Sequence, residues 1–569
     1  MASILVIIDL LFCGLLLLYR RALPRPYIGI PYNKESAQRI LGDLPGLLSH
    51  FKKTKEIASF SFQQCRNLNS PIVQIFLRPF SRPFIFIDDP QETEDILLRR
   101  TREFDRAPST IAFFEPLVPE ASMVKLSNPA FKEQRRLWQD VMSPQFLRKV
   151  VAPNVHRCAS ELVELWSRKC ALASKHPFKA LDDLELAAFD SIWIAMLGTR
   201  LTGLRDEMKA LENERSASGS DKNEPIEFPK APRSIMYHAI EYVNGTIERI
   251  MRSPFPAKHH WWIRQSKQYK YYSSFKDKEI DGLIVRARLR FEKLTSQGDI
   301  VIEDEGDTCA MDLVLRREAI AFAKTGQRSP ASSDTAMRDE LAMLLVAGHE
   351  TTAITLGWGL KSLAGNQVEQ SKLRRCLQDA FSHVPLGSVP SASDILSTSI
   401  PYLDGILEEI LRFANTVPLL ARSATIDTTI LGYHVPKGSH IMCNAQFMNE
   451  PIDIPDAARS ESSRAAWERR KGHAFATTDI KRFMPERWIK KDENGVEEFD
   501  SAALTRMQFS LGPRGCFGRK LAMQQLRIFL VLLVWNFEFL PVPDMLNSPW
   551  GHQKILRPPQ QCYVRLRRV

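Results

Sequence analysis

Residues 509–518 read Phe509-Ser510-Leu511-Gly512-Pro513-Arg514-Gly515-Cys516-Phe517-Gly518, and from Arg519 an apolar helical run follows, RKLAMQQLRIFLVLLVWNFEF. A lone cysteine therefore stands inside a glycine-rich loop directly before a helix. Glycines at 512, 515 and 518 allow backbone conformations and close approaches that a Cβ forbids, so a flat, bulky ligand can lie against the loop. The sulfur is placed at the helix entrance, where free N–H groups and the helix dipole favour an anion and lower a thiol's pKa. Taken alone, such a cysteine is as a rule a buried structural residue. Its reading depends on what the rest of the chain carries.

Working outward, a helix is predicted from Ser333 or Asp334 past Leu360, and in its middle lies Ala347-Gly348-His349-Glu350-Thr351-Thr352. An acid, hydroxyls and a glycine are locally poor choices in an apolar helix, and function tends to sit where local rules break. Glycine thins the helix for a ligand, and a threonine hydroxyl can replace a backbone partner and distort the ladder. The same segment alone also reads as a core helix with satisfied polar residues. His349-Glu350 is not a zinc-protease helix, because the second histidine position is Ala353. In Pro401 to Phe413, PYLDGILEEILRF, the apolar stripe is plain and Glu409 and Arg412 fall off it. At i, i+3 these two can pair, which on a surface contributes under about 1 kcal/mol. Pro418-Leu-Leu-Ala-Arg422 then offers a fixed cation, and Phe483-Met-Pro-Glu-Arg487-Trp488 a further arginine in a loop.

Nucleotide motifs fail on inspection. Gly512 to Lys520 has Phe517 where a phosphate-binding loop needs glycine, and Gly357-x-Gly359 has Ser362 in place of its third glycine. No nicotinamide site is visible, so any electrons the chain needs come from a separate protein. The formal charge of +11 suits an acidic partner or a membrane surface. No zinc-finger spacing, aromatic RNA-binding signature or clustered basic helix points to nucleic acid. Nine scattered cysteines, an odd number, argue for reduced thiols facing the cytosol.

Ile4 to Tyr19 is an apolar run that would span about 25 Å as a helix, near the thickness of an endoplasmic-reticulum bilayer. Arg20 and Arg21 follow, which favours a cytosolic body. The rival, a cleaved signal peptide, lacks a small-x-small site before Pro24. The expected organisation is a transmembrane anchor over 1–22 and one catalytic domain over 23–569, whose first residues, 23–35, are a stiff spacer with Pro24, Pro26 and Pro31. Beyond it, helix dominates, with short strands at Ile72 to Phe76 and Phe84 to Ile87. Ser216 to Ser234, Gln297 to Thr308 and Ile452 to Thr478 read as loops.

Taken in chain order, A-G-x-E-T-T, E-x-x-R, P-E-R-W and F-x-x-G-x-R-x-C-x-G resemble the cytochrome P450 family from end to end, and most closely its microsomal fungal enzymes. The resemblance implies a mainly α fold with small β-sheets and a heme b cofactor whose iron is bound axially by the Cys516 thiolate, a ligand that favours O–O cleavage. It implies that Glu350 and Thr351 govern proton delivery to dioxygen, and that Glu409, Arg412 and Arg487 form a structural triad behind the heme loop. Arg135, Arg422 and Arg514 match the cations that hold the heme propionates, with Phe509, Gly512 and Gly518 lining the cradle. The family's tryptophan is Phe131 here, which cannot donate an indole N–H, so Arg136 is a neighbouring candidate for Arg135 and the load falls mainly on Arg422 and Arg514.

The implied partners are NADPH-cytochrome P450 reductase, cytochrome b5, membrane lipid of the endoplasmic reticulum and a lipophilic small-molecule substrate. The implied reaction is monooxygenation. The alternatives are oxidative coupling, desaturation or rearrangement on the same heme, or a non-catalytic heme sensor. By the same resemblance Ala107 to Leu126, the helix around Ala347, Ala414 to Leu420 and Leu546 to His552 line the distal pocket.

Overall fold

The computed structural model describes residues 2–215, 221–251, 253, 255–296, 308–327, 330–445, 448, 452–469 and 479–569. Its organising element is the Asp334–Gly365 helix, opened by Ser333, whose hydroxyl accepts from Ala336 N at 3.3 Å. This central helix is buried along most of its length and packs most extensively on Leu181–Leu197, itself buried almost throughout. Helices Pro401–Ala414 and Arg519–Asn536 pack on other faces. The expected distortion at its threonines is absent. The helix runs unbroken, with Thr351 and Thr352 donating to the carbonyls of Ala347 and Gly348, one turn back, at 2.7 and 2.9 Å. Gly348 also has a different reason from the one expected. A Cβ there would lie 2.7 Å from Ile192 Cγ1, so the missing side chain admits a neighbouring helix, not a ligand.

A five-stranded mixed sheet flanks the helices. Its strands are β1 (Ile72–Ile75), β2 (Phe84–Ile87), β3 (Phe104–Arg106), β4 (Leu419–Ala424) and β5 (His440–Asn444), in the order β1-β2-β5-β4-β3. Only the β2–β5 pair is parallel. The helix after the cysteine loop stops at Asn536, and Phe537–Leu540 becomes a strand on Tyr563–Arg568. In the stretch read as a loop from Ile452, residues Glu461–Glu468 are helical. Ser460 caps that helix, and Ser460 and Ser462 donate to Asp95 Oδ2 at 2.6 and 2.8 Å, which docks it on Pro90–Leu98. Residues 221–234 are almost wholly irregular, while 216–220, 297–307 and 470–478 lie outside the described residues.

The N-terminal expectation needs correction. Ala2–Ala22 is one helix with exposed isoleucines and leucines and Arg20 and Arg21 in its last turn. Among the described residues, however, no helix is long and apolar enough to cross a membrane. Asp9 divides the apolar run and the two arginines close it, so its longest charge-free stretch is Leu10 to Tyr19.

Glu409 fixes one end of the helical layer. It is fully buried and takes both guanidinium donors of Arg412, at 2.9 and 2.7 Å, so the pair is not the surface contact its spacing suggested. Met484 N and Trp488 Nε1 also donate to it, at 2.9 and 2.8 Å, and Arg487 Nε lies 3.1 Å away. Arg412 in turn donates to the carbonyls of Ile480 and Arg482. Glu409→Gln leaves Arg412 buried without its counter-charge, and should lower unfolding free energy by about 3–5 kcal/mol. Denaturant titration measures this, and a loss under about 1 kcal/mol would return the pair to the surface class.

Candidate active site

A cavity of about 1920 Å³ opens between the central helix, the Ile235–Met251 helix above it and the cysteine loop below. Single ligand sites seldom exceed about 1,000 Å³, so this one has room for a flat cofactor and a second molecule. The expected walls at Ala107 to Leu126, around Ala347 and at Ala414 to Leu420 contribute Phe113, Phe114, Ala347, Thr416 and Leu420. The C-terminal wall is displaced from the expectation. It comprises Gln553–Leu556, because Gln553 accepts from Ile57 N and Ala58 N and ties that segment down.

Cys516 is exposed, and what it faces is the cavity. Its N–H donates to Phe509 O at 2.7 Å, closing the loop, and Gly515 N donates to Gly512 O at 2.9 Å. Gly512 is held at φ +68° with Leu97 O only 2.3 Å from where a Cβ would be, so this glycine serves the protein's own packing. At Gly518, the residue before the helix, a Cβ would have open space around it. Burial pushes the Cys516 thiol up, against the pull of the Gly518 N–H, Arg135 and Arg519. That reverses the expected lowering: the loop supplies donors, but desolvation outweighs them, and it takes a bound metal to deprotonate the thiol outright. Among the described residues no group of three or more His, Cys, Asp or Glu could hold a metal ion. A porphyrin iron, which brings four ring nitrogens with it, would need only one ligand from the chain, such as Cys516.

The electrostatics fit such a dianionic macrocycle. Arg106, Arg135, Arg422 and Arg514 all line the cavity. Arg106 was not singled out in the sequence, where no motif surrounds it. On the sheet it stands directly opposite Arg422 in the antiparallel β3–β4 register. Like charges at that position are destabilising. Burial and the neighbouring guanidiniums push Arg106 down to about 9 and Arg514 to about 10. Arg106 Nε and Arg514 Nε and Nη1 are buried without a hydrogen-bond partner, and Asp105, 3.7 Å from Arg514 Nε, is the carboxylate among them. Two carboxylates of a ligand would meet these needs. Arg422 donates to Ala421 O and Ser510 Oγ, and Arg135 to Gly515 O at 3.2 Å. Arg136 is exposed and does not line the cavity. Phe131 lies 4.0 Å beneath the Arg514 guanidinium and 5.7 Å from that of Arg135, so its ring face orients both cations in place of an indole N–H.

Across the cavity stand Glu350 and Thr351. Asn244 Nδ2 donates to Glu350 Oε2 at 3.1 Å, and burial holds this carboxyl above the usual range, against Lys554 and that hydrogen bond. His349 is buried against Phe189 and pushed down to about 4 by desolvation, so it is neutral. A second acid, Glu185, shares the cavity; burial, and after it the charge of Glu350, push it up to about 8. Neither Asn244 nor Glu185 stood out in the sequence, since each interrupts an ordinary helical pattern with no motif around it.

The family model described as "Cytochrome P450" matches residues 42–451 and 479–566. The chain is 33% identical to the cytochrome P450 monooxygenase TRI13 of Fusarium sporotrichioides, over 98% of each protein. It is 34% identical to the cytochrome P450 monooxygenase GME11363 of Pestalotiopsis microspora, over 99% of this chain and 97% of that one. Among solved structures, the heme domain of cytochrome P450DA superimposes with a TM-score of 0.67 at 18% identity, over 96% of this chain and 98% of the other.

Glu185 makes the site's pH response testable. Between about 4.5 and about 8 the folded protein keeps a proton that the unfolded chain has released, so stability falls as pH rises through that window. Glu185→Gln removes this slope: its Tm should gain on the parent steadily between pH ~5 and pH ~8. Parallel Tm curves would mean that Glu185 is ionised in the fold.

Proposed function

The chain belongs to the cytochrome P450 family and is an oxidoreductase whose heme iron is ligated by cysteine, and from that premise we propose that it inserts one oxygen atom from O2 into a lipophilic small molecule, with Cys516 as the ligand. The observation that carries this is the sharing of one cavity by Cys516, by Arg106, Arg135, Arg422 and Arg514, and by the Glu350–Thr351 pair. When bound, the heme supplies dioxygen activation, and thiolate donation favours O–O cleavage.

The chain's own groups do the rest. Arg106, Arg135, Arg422 and Arg514 would hold the two propionates through charge-assisted hydrogen bonds. Phe113, Phe114 and Leu420 exclude water from the substrate side. Burial favours the neutral, proton-carrying form of Glu350 in the cavity. The Thr351 hydroxyl now donates to Ala347 O, and rotation of that hydroxyl would carry a proton from the helix surface into the cavity. NADPH-cytochrome P450 reductase, with cytochrome b5 as a second donor, supplies electrons, and the charge of +11 suits acidic partners. Relatives such as TRI13 and xilC are fungal monooxygenases. A terpenoid, polyketide or alkaloid of specialised metabolism fits the apolar walls. The exposed apolar Ala2–Ala22 helix attaches the enzyme to the endoplasmic reticulum membrane, with the body on the cytosolic side.

Cys516→Ser should abolish the carbon monoxide spectrum of a heme-thiolate. Thr351→Ala should keep that spectrum, lower product formed per NADPH at least about 10-fold and release peroxide. Product free of label after turnover in labelled dioxygen would replace insertion with coupling or desaturation. Deleting residues 1–22 should move the protein from the membrane fraction to the supernatant.

A further inference from the structure

We propose that Asn244 is a positioning residue for Glu350, tying the relay carboxyl to the helix that roofs the cavity, so that proton delivery follows the position of that roof. The inference rests on the reading of Glu350 as a proton carrier given above. Three observations support it. Asn244 Nδ2, on Ile235–Met251, donates to Glu350 Oε2 at 3.1 Å, whereas the adjacent Thr351 hydroxyl is engaged with Ala347 O. One turn along the same face, Glu248 pairs with Lys554 Nζ at 2.8 Å, so the roof helix is clipped both to the central helix and to the Gln553–Leu556 wall. Asn244, Glu248 and Glu350 all line the cavity, so a molecule filling it presses on the same helix that holds the carboxyl.

The charged surroundings of Glu350 leave Asn244 a distinct part. From the roof helix Glu241 and Glu248 disfavour its anion, from the Leu181–Leu197 helix Glu185 faces it, and from the C-terminal wall Lys554 favours the anion. On its own helix His349 is neutral and turned to Leu345 O. Arg233 acts on Glu185, and Glu185, after burial, acts on Tyr237. Asn244 is the group that bonds the carboxyl directly, and a neutral amide donor stabilises the charged form without adding charge. Its removal should raise the proton affinity of Glu350. The carboxyl, once released, is free to turn along the central helix toward Thr351.

The test is an infrared pH titration of the carboxyl in the ferric holoprotein, with Glu350→Gln as the blank that identifies the band. Asn244→Leu and the smaller Asn244→Ala should each raise the proton affinity of Glu350 by about threefold or more, and Asn244→Gln, which keeps the donor, should restore at least half of that shift. The pH profile of product per NADPH should move to the alkaline side by the same factor, with the carbon monoxide spectrum unchanged. An unmoved titration in both Leu and Ala variants overturns the role of Asn244 while leaving Glu350 as the relay acid. Parental coupling in Glu350→Gln overturns the relay reading itself, and the inference with it.

Discussion

The buried carboxylate of Glu409 is the constraint on which the arrangement of this molecule depends. An ion removed from water is costly unless its charge and its hydrogen bonds are all met. Glu409 meets them with donors from three places: Arg412 on its own helix, the Met484 backbone, and Trp488 beyond it. Arg412 spends its remaining donors on the carbonyls of Ile480 and Arg482. One side chain thus pins a long irregular segment to the Pro401–Ala414 helix. That helix packs in turn on the central helix, where Gly359 would meet Ile410 if it carried a Cβ. The irregular segment leads on to the cysteine loop, so both walls of the cavity are referenced to the same ion pair.

Within that frame the cavity is electrically polarised. Four guanidiniums gather at the heme-loop side, two of them opposed across paired strands, where their mutual repulsion is relieved only by a counter-anion. Carboxyls gather on the other side, where Glu185, Glu241, Glu248 and Glu350 are offset by Lys554. Desolvation acts on both groups in the same sense, disfavouring charge. It makes the cations eager for an anionic ligand and favours the neutral forms of Glu185 and Glu350. The same physics accounts for the Cys516 thiol, which the loop alone does not ionise.

Much of this was legible in the residues. The central helix, its Ser333 cap and the Pro401–Ala414 helix follow from apolar spacing and capping. Cys516 became interpretable once three distant motifs were read together with it. What escaped belongs to tertiary contact. Gly348 and Gly512 were read as room for a ligand, but their neighbours are Ile192 and the Leu97 carbonyl, which no local pattern announces. Arg106 gains meaning only from a strand register, and Asn244 only from helices more than 100 residues apart meeting over the cavity. The Glu461–Glu468 helix is short and polar, and its capping serine was hidden in a stretch whose composition reads as loop. The spanning reading of the N-terminal run finds no support among the described helices, none of which is long and apolar enough to cross a membrane.

The contact between Gly348 and Ile192 also bears on how such a chain can change over generations. A side chain gained at 348 collides with Ile192 Cγ1 and Cδ1, whereas shortening Ile192 to alanine first opens a void costing about 2–5 kcal/mol. Each single step is harmful and only the double change is neutral, so the two positions form an epistatic pair across a fitness valley. Residues of the roof helix that border open space carry no such lock. Changes in what the cavity accepts therefore meet less packing resistance at those roof positions than at Gly348 of the central helix.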